Sequence, residues 1–270
     1  MRINTNMMAL NAQNMLTGNQ NAVQKSINKL SSGLRINSAA DDAAGLAISE
    51  KMRSQIRGLN QAESNAQDGI SLIQTAEGAL QQTTDILQRM RELVIKSENS
   101  GVLTDQDKEA IDTEFTELAT EIDRIAKSTT FNGKNLLNSP TVELKFKVGA
   151  NTFGDDTLSL SIGAMTTVGL KISGSFTVGS ANALISIDAA IQTVSAERAK
   201  LGAIQNRMEY AIDSISATAE NLTNAESRIR DVDMAAEMVN FTKNNILQQS
   251  AMAMLAQANQ QPNQILTLLQ

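Results

Sequence analysis

Two adjacent carboxylates, Asp41 and Asp42, stand in the stretch LSSGLRINSAADDAAGLAIS, residues 30–49, with small residues on either side. Paired carboxylates are what an acid/base couple or a metal site requires, but a metal needs further converging oxygen ligands and none is spaced for it nearby. The chain of 270 residues contains no Cys, no His and no Trp, with one Tyr and two Pro. Thiolate and imidazole chemistry, disulfides and histidine-based metal sites are therefore excluded, and no nucleophile–base constellation remains to indicate an enzyme. Ser38 and Asp41 instead fit S-x-x-D, in which a hydroxyl caps a helix start and a carboxylate three residues on reaches back to it. The sequence predicts a helix cap at Ser38 and Asp41. Gly33 and Gly45 supply turns and close backbone approach on either side, so the stretch reads as a joint.

A joint needs elements on both sides. Downstream, Leu59, Ala66, Ile73, Leu80, Leu87 and Val94 recur every seven residues, and Leu72, Ala79, Ile86 and Leu93 widen the stripe into one face of a long helix. Gly101, within SGVLTDQD, ends it. A third helix follows, carrying Ile111, Phe115, Leu118, Ile122 and Ile125 at alternating four and three spacing. Near the other end, Ile187, Val194, Leu201, Met208, Ile215, Leu222 and Ile229 keep the same seven-residue period. A helix over that span is about 65 Å long, more than a compact domain accommodates, so the expected architecture is mainly α: a long antiparallel helical-bundle rod.

Between the helices the period drops to two. FNG at 131–133 signals a turn; Val142, Leu144, Phe146 and Val148 alternate with polar neighbours, as do Leu158, Leu160 and Ile162. A small β region rich in Gly, Ser and Thr is expected in the middle of the chain.

The two ends share an unusual chemistry. Residues 3–24 carry no charge and nine Asn or Gln, and residues 244–270 carry no charge and eleven. So many amides oppose insertion into a bilayer, because each one buried without a partner costs about 2–7 kcal/mol. Residues 1–40 hold four basic groups and no acidic one, whereas 231–270 hold three acidic groups and one basic, so the ends attract each other and should pair. Helices this poor in charge and only moderately apolar gain little burial as one pair; their resting place is among further copies of the same molecule. The net charge of −6 offers no basic surface for nucleic acid. The first residues lack the basic start, apolar run and cleavage site of an ordinary signal peptide, so export, if it occurs, is expected without one.

Seven motifs carry a family resemblance: LSSGLRINSAADDAAGLAIS, QDGISLIQTAEGAL, QRMREL, FNGKNLL, LGAIQNRMEYAI, NLTNAESRIRDVDMAAEM and QANQQPNQILTLL. Across residues 1–140 and 185–270 the chain resembles bacterial flagellin. The resemblance implies a structural subunit that polymerises with itself into the helical filament used for swimming, in a short form lacking large outer domains. It implies filament-core helices over 1–40 and 230–270, a spoke or joint over 41–57, rod segments over 58–138 and 181–229, and a variable β region over 139–180. It also implies export through the flagellar type III apparatus with an export chaperone, contact with filament cap and hook-associated proteins, and an extracellular place in the flagellum. No cofactor or metal is implied.

Within that family LQRMREL matches the segment read by Toll-like receptor 5 of animal hosts, and Arg89, Leu93 and Glu114 fall on the matching positions. Spacing alone makes Arg89 an ordinary exposed arginine and Leu93 a core leucine; only the resemblance assigns them to a receptor. Two other readings compete with a filament subunit: a hook–filament junction protein, which shares flagellin-like ends, and a membrane-active helical toxin, which the amide-rich tails oppose.

Overall fold

The computed structural model describes residues 6–99, 101–139, 141–150, 156–172 and 181–268, with residues 141, 142, 181 and 262–268 described by backbone alone. The side chain of Val142, on which part of the expected alternation rests, and residues 140, 151–155 and 173–180 of the expected 139–180 region lie outside the description. The chain is mainly α. In order it forms α1 (Met7–Ser32), α2 (Ala43–Ser97), α3 (Asp105–Ser128), two short strands β1 (Thr130–Phe131) and β2 (Lys134–Asn135), strands β3 (Thr141–Lys147) and β4 (Thr157–Gly163), α4 (Ala181–Arg230) and α5 (Met234–Leu268).

It divides into two compact units, one of residues 1–54 and 220–270, the other of residues 55–219. In the larger unit the seven-residue seams become the core: Ile73, Leu80, Leu87 and Val94 of α2 and Ile187, Val194, Leu201 and Met208 of α4 are all buried in one apolar cluster. α3 adds Phe115 and Ile122 to that cluster, and it starts on a complete capping box. There the Thr104 hydroxyl accepts the Asp107 N–H at 3.3 Å while the Asp107 carboxylate accepts the Thr104 N–H at 2.9 Å.

The FNG turn closes β1 on β2, pairing Phe131 with Lys134. Asn132 and Gly133 take φ of 48° and 76°, the pair of positive values that a two-residue hairpin with right-handed twist demands. β3 and β4 pair antiparallel from Thr141 opposite Gly163 to Lys147 opposite Thr157. Leu158, Leu160 and Ile162 point inward to the cluster while Thr157, Ser159 and Ser161 face water. The loop after β4 is tied to α3 by Asp123, whose carboxylate accepts the Thr167 N–H at 2.8 Å and its hydroxyl at 3.0 Å.

In the smaller unit α1 lies along α5, with the Asn6 amide donating to the Ala258 carbonyl at 2.8 Å. The pair buries little: Ser26 on α1 and Ala251 and Ala258 on α5 are its buried side chains among the described residues. Met7, Met8, Leu10 and Met15 of α1 and Ile246, Leu247, Met252 and Met254 of α5 remain exposed.

Candidate functional site

The opening carboxylates sit where α1 ends and α2 begins. α1 stops because Gly33 adopts φ 71°, a left-handed cap whose N–H returns to the Lys29 carbonyl. The chain then runs extended beside the link between α4 and α5. Arg35 N–H donates to the Arg230 carbonyl at 2.6 Å, Val232 N–H donates to the Gly33 carbonyl at 3.0 Å, and Leu34 faces Asp231 in an antiparallel bridge. The Arg35 guanidinium grips the Ile229 carbonyl through Nε at 3.2 Å and Nη2 at 2.6 Å. It thereby satisfies one of the carbonyls that a helix end leaves open. Arg230, whose side chain is 12% exposed, reaches Glu50 of α2 at 2.7 Å.

Ser38 and Asp41 close a turn of their own. The Asp41 carboxylate accepts the Ser38 N–H and hydroxyl, both at 3.0 Å, and the Asn37 N–H at 3.3 Å. The Ser38 N–H, then its hydroxyl, then the Asn37 N–H hold the Asp41 carboxyl below its ordinary range. This turn precedes the helix, so the predicted cap is corrected: the capping residue is not Ser38 but Asp42. α2 starts at Ala43, and Asp42 is its N-cap, with a carboxylate oxygen 2.8 Å from the Gly45 N–H. S-x-x-D directs attention to Ser38 because the motif places a cap before its acid; here a second acid follows at once and takes that place. A Cβ on Gly45 would strike the Asp42 carboxylate and come within 2.8 Å of Ile36 Cδ1, so the capped turn needs glycine there. Both carboxylates are committed to N–H donors, which is joint chemistry and not acid/base chemistry.

Sequence patterns do not single out Arg35, Arg230 and Glu50. The available signal is position: GLRIN and SRIRDVD place charged residues at the inner edge of two charge-poor ends.

The larger unit carries the other predicted residues. Arg89 on α2 donates to Glu114 on α3 through Nε at 3.0 Å and Nη2 at 2.8 Å, and through Nη1 to Glu92 at 3.1 Å. The bond to Glu114, then that to Glu92, raises the Arg89 pKa further. The structure therefore joins Arg89 and Glu114 on one exposed surface. Leu93 does not join them. It is 2% exposed, a core leucine as its place on the apolar stripe of α2 implies.

Both the joint and the terminal pair fall within regions shared with known proteins. Residues 3–141 match the bacterial flagellin N-terminal helical region, and residues 184–269 match the bacterial flagellin C-terminal helical region. The chain belongs to the bacterial flagellin family. It is 52% identical over 306 aligned residues to flagellin from Bacillus subtilis (strain 168), covering 100% of each chain. It is 50% identical over 288 residues to the flagellar filament 33 kDa core protein of Treponema phagedenis, again over 100% of each. A solved structure described as a putative flagellar hook-associated protein from Vibrio parahaemolyticus shares the fold. That match has a TM-score of 0.58 at 15% identity, over 71% of this chain and 100% of that one. In this flagellin-family chain, the two matched regions contain both the clamp at residues 33–35 and 230–232 and the paired helices α1 and α5.

Proposed function

We propose that the chain is the extracellular structural subunit of a flagellar filament, and that α1 and α5 are the segments through which copies assemble. Membership of the flagellin family makes it a structural protein and not an enzyme. The observation that carries the assembly reading is the mismatch on α1 and α5: charge-poor helices whose methionines, leucines and isoleucines stay in water when only one pair is present. Burial of such surface against neighbouring copies stabilises a polymer by about 25 cal/mol per Å². Absence of charge removes the repulsion that would oppose stacking many copies around one axis.

In this reading residues 1–40 and 230–270 form the filament core, 41–57 the spoke, 58–138 and 181–229 the outer helical segments, and 139–180 the variable surface. Export through the flagellar type III apparatus with a chaperone, and contact with the filament cap and hook-associated proteins, belong to the same proposal. Seeding purified subunits with filament fragments and imaging by electron microscopy tests it. Extended filaments are expected; seeds that gain only a short, limited collar would favour the hook–filament junction reading, and leakage of dye from liposomes would favour the toxin reading.

A second reading rests on the Arg89–Glu114 pair. A guanidinium fixed by two carboxylates on an exposed helix surface is a preorganised recognition element, and it lies on the positions that the family's Toll-like receptor 5 segment matches. We place the receptor contact on Arg89 and Glu114, with buried Leu93 supporting α2 beneath them. Surface plasmon resonance with the receptor ectodomain and the Arg89→Ala and Glu114→Ala variants tests it; unchanged binding in both would return the pair to an ordinary surface ion pair.

A further inference from the structure

Sulfur exposure follows the fold: of the eleven methionines among the described residues, seven are exposed and all lie on the terminal helices, Met7, Met8 and Met15 on α1 and Met234, Met238, Met252 and Met254 on α5, at 46% to 68% exposure, while Met52 of α2 is half-buried. Three are buried, and all lie in the larger unit: Met90 and Met208 at 0% and Met165 at 3%. Exposed thioethers at this density are costly surface unless something uses them, and there is no thiol, imidazole or indole elsewhere in the chain to compete for an electrophilic oxidant. Met8 and Met254, with Ala12 and Ala258, also line one narrow cleft between α1 and α5, so a change at either sulfur bears on the fit of the two helices.

We propose that these seven methionines are reversible oxidation sites of the free subunit, and that their oxidation by a peroxide withdraws the subunit from assembly. The step is a two-electron transfer. A sulfur lone pair attacks one oxygen of hydrogen peroxide, the S–O bond forms as the O–O bond breaks, and the departing hydroxide takes the proton left on the new oxygen to leave as water. Sulfur is oxidised to the sulfoxide and the peroxide is reduced to water. The product is a polar, chiral acceptor in place of a flexible apolar contact. On a face that must lose its water when copies meet, such an acceptor opposes docking wherever no donor is provided. The larger unit, with its sulfurs enclosed, keeps its fold.

The effect on assembly rests on the proposal that α1 and α5 form the interface, and the experiment separates the two. Full-length subunits and preformed filaments are exposed to the same dilute hydrogen peroxide, and each methionine is followed by peptide mass spectrometry. In free subunits the seven terminal-helix methionines are expected to gain oxygen at least roughly tenfold faster than Met90, Met165 and Met208. Comparable rates would overturn the site assignment. Oxidised subunits should fail to extend seeds, and treatment with methionine sulfoxide reductases of both epimer specificities and dithiothreitol should restore extension. Extension by fully oxidised subunits, or a loss that the reductases do not reverse, would overturn the assembly effect. Filaments whose α1 and α5 methionines oxidise as fast as those of free subunits would instead overturn the interface reading and leave the selectivity within the monomer standing.

Discussion

A single carboxylate can decide where a helix begins. Asp42 caps α2 through the Gly45 N–H at 2.8 Å, so Asp42→Ala should cost about 1 kcal/mol, read as a lowered denaturation midpoint. Ser38→Ala should cost less, because it leaves the Asp41 carboxylate two backbone donors, from Ser38 and Asn37. The reverse order would restore Ser38 as the cap. Arg89 calls for a different separation. Its bonds to Glu114 and Glu92 lie at the surface, where ion pairs contribute little to folding, so Arg89→Ala should leave the melting temperature nearly unchanged. Receptor affinity should nonetheless fall roughly thirtyfold if the arginine is a hot spot. A variant that loses binding and stability together would point to a structural role. Motif matching finds the right pair of acids here but the wrong capping residue, since spacing shows what can bond and not which of two neighbouring carboxylates the backbone presents to the helix.

For the elements, periodicity is the more informative signal. The seams on α2 and α4, from Ile73, Leu80 and Leu87 to Val194 and Leu201, are buried because a seven-residue repeat returns to the same helix face whatever packs against it. FNG predicts its turn because few residues other than Asn and Gly accept two positive φ values in succession. Grouping beyond a stripe is less legible. Spacing sorts buried Leu93 from exposed Arg89, but the receptor resemblance groups the two, and the clamp of Arg35 on the Ile229 carbonyl joins residues 194 apart, which no local pattern encodes. α3 carries a pH dependence that can be derived. The Thr104 hydroxyl, then its N–H, lowers the Asp107 carboxyl below its ordinary value of 3.8. A folded value lower than the unfolded one stabilises the helix fully above about pH 3.8, and that contribution fades as acid takes the pH down through the folded value. Acid titration followed by circular dichroism should show this loss in the parent chain, and Asp107→Asn should flatten it. An unchanged profile in that variant would mean that other carboxylates govern the acid limb.

On the scale of the whole molecule, the ends and the middle obey different physics. The larger unit encloses an apolar cluster and should fold as a monomer, whereas α1 and α5 leave their apolar side chains in water. Amides of α1 and α5 should therefore exchange hydrogen at least roughly tenfold more slowly in filaments than in free subunits, while those of the larger unit change little. Equal protection in both states would remove the need for neighbouring copies. Deleting residues 244–270 should leave a soluble, helical chain that no longer extends seeds, and normal filaments from that truncation would contradict the assembly reading. The antiparallel bridge at Leu34 and Asp231 has a further consequence, for how such a chain can change over evolutionary time. It makes everything between Leu34 and Asp231 a tethered ring, closed also by the grip of Arg35 on a carbonyl 194 residues away. The entropy of closing a ring grows only with the logarithm of its length, so about forty added residues would cost the closure about 0.2 kcal/mol. The middle of the chain is free to lengthen, shorten or be exchanged for a foreign segment, while the ends continue to present the same registered pair of helices to their neighbours.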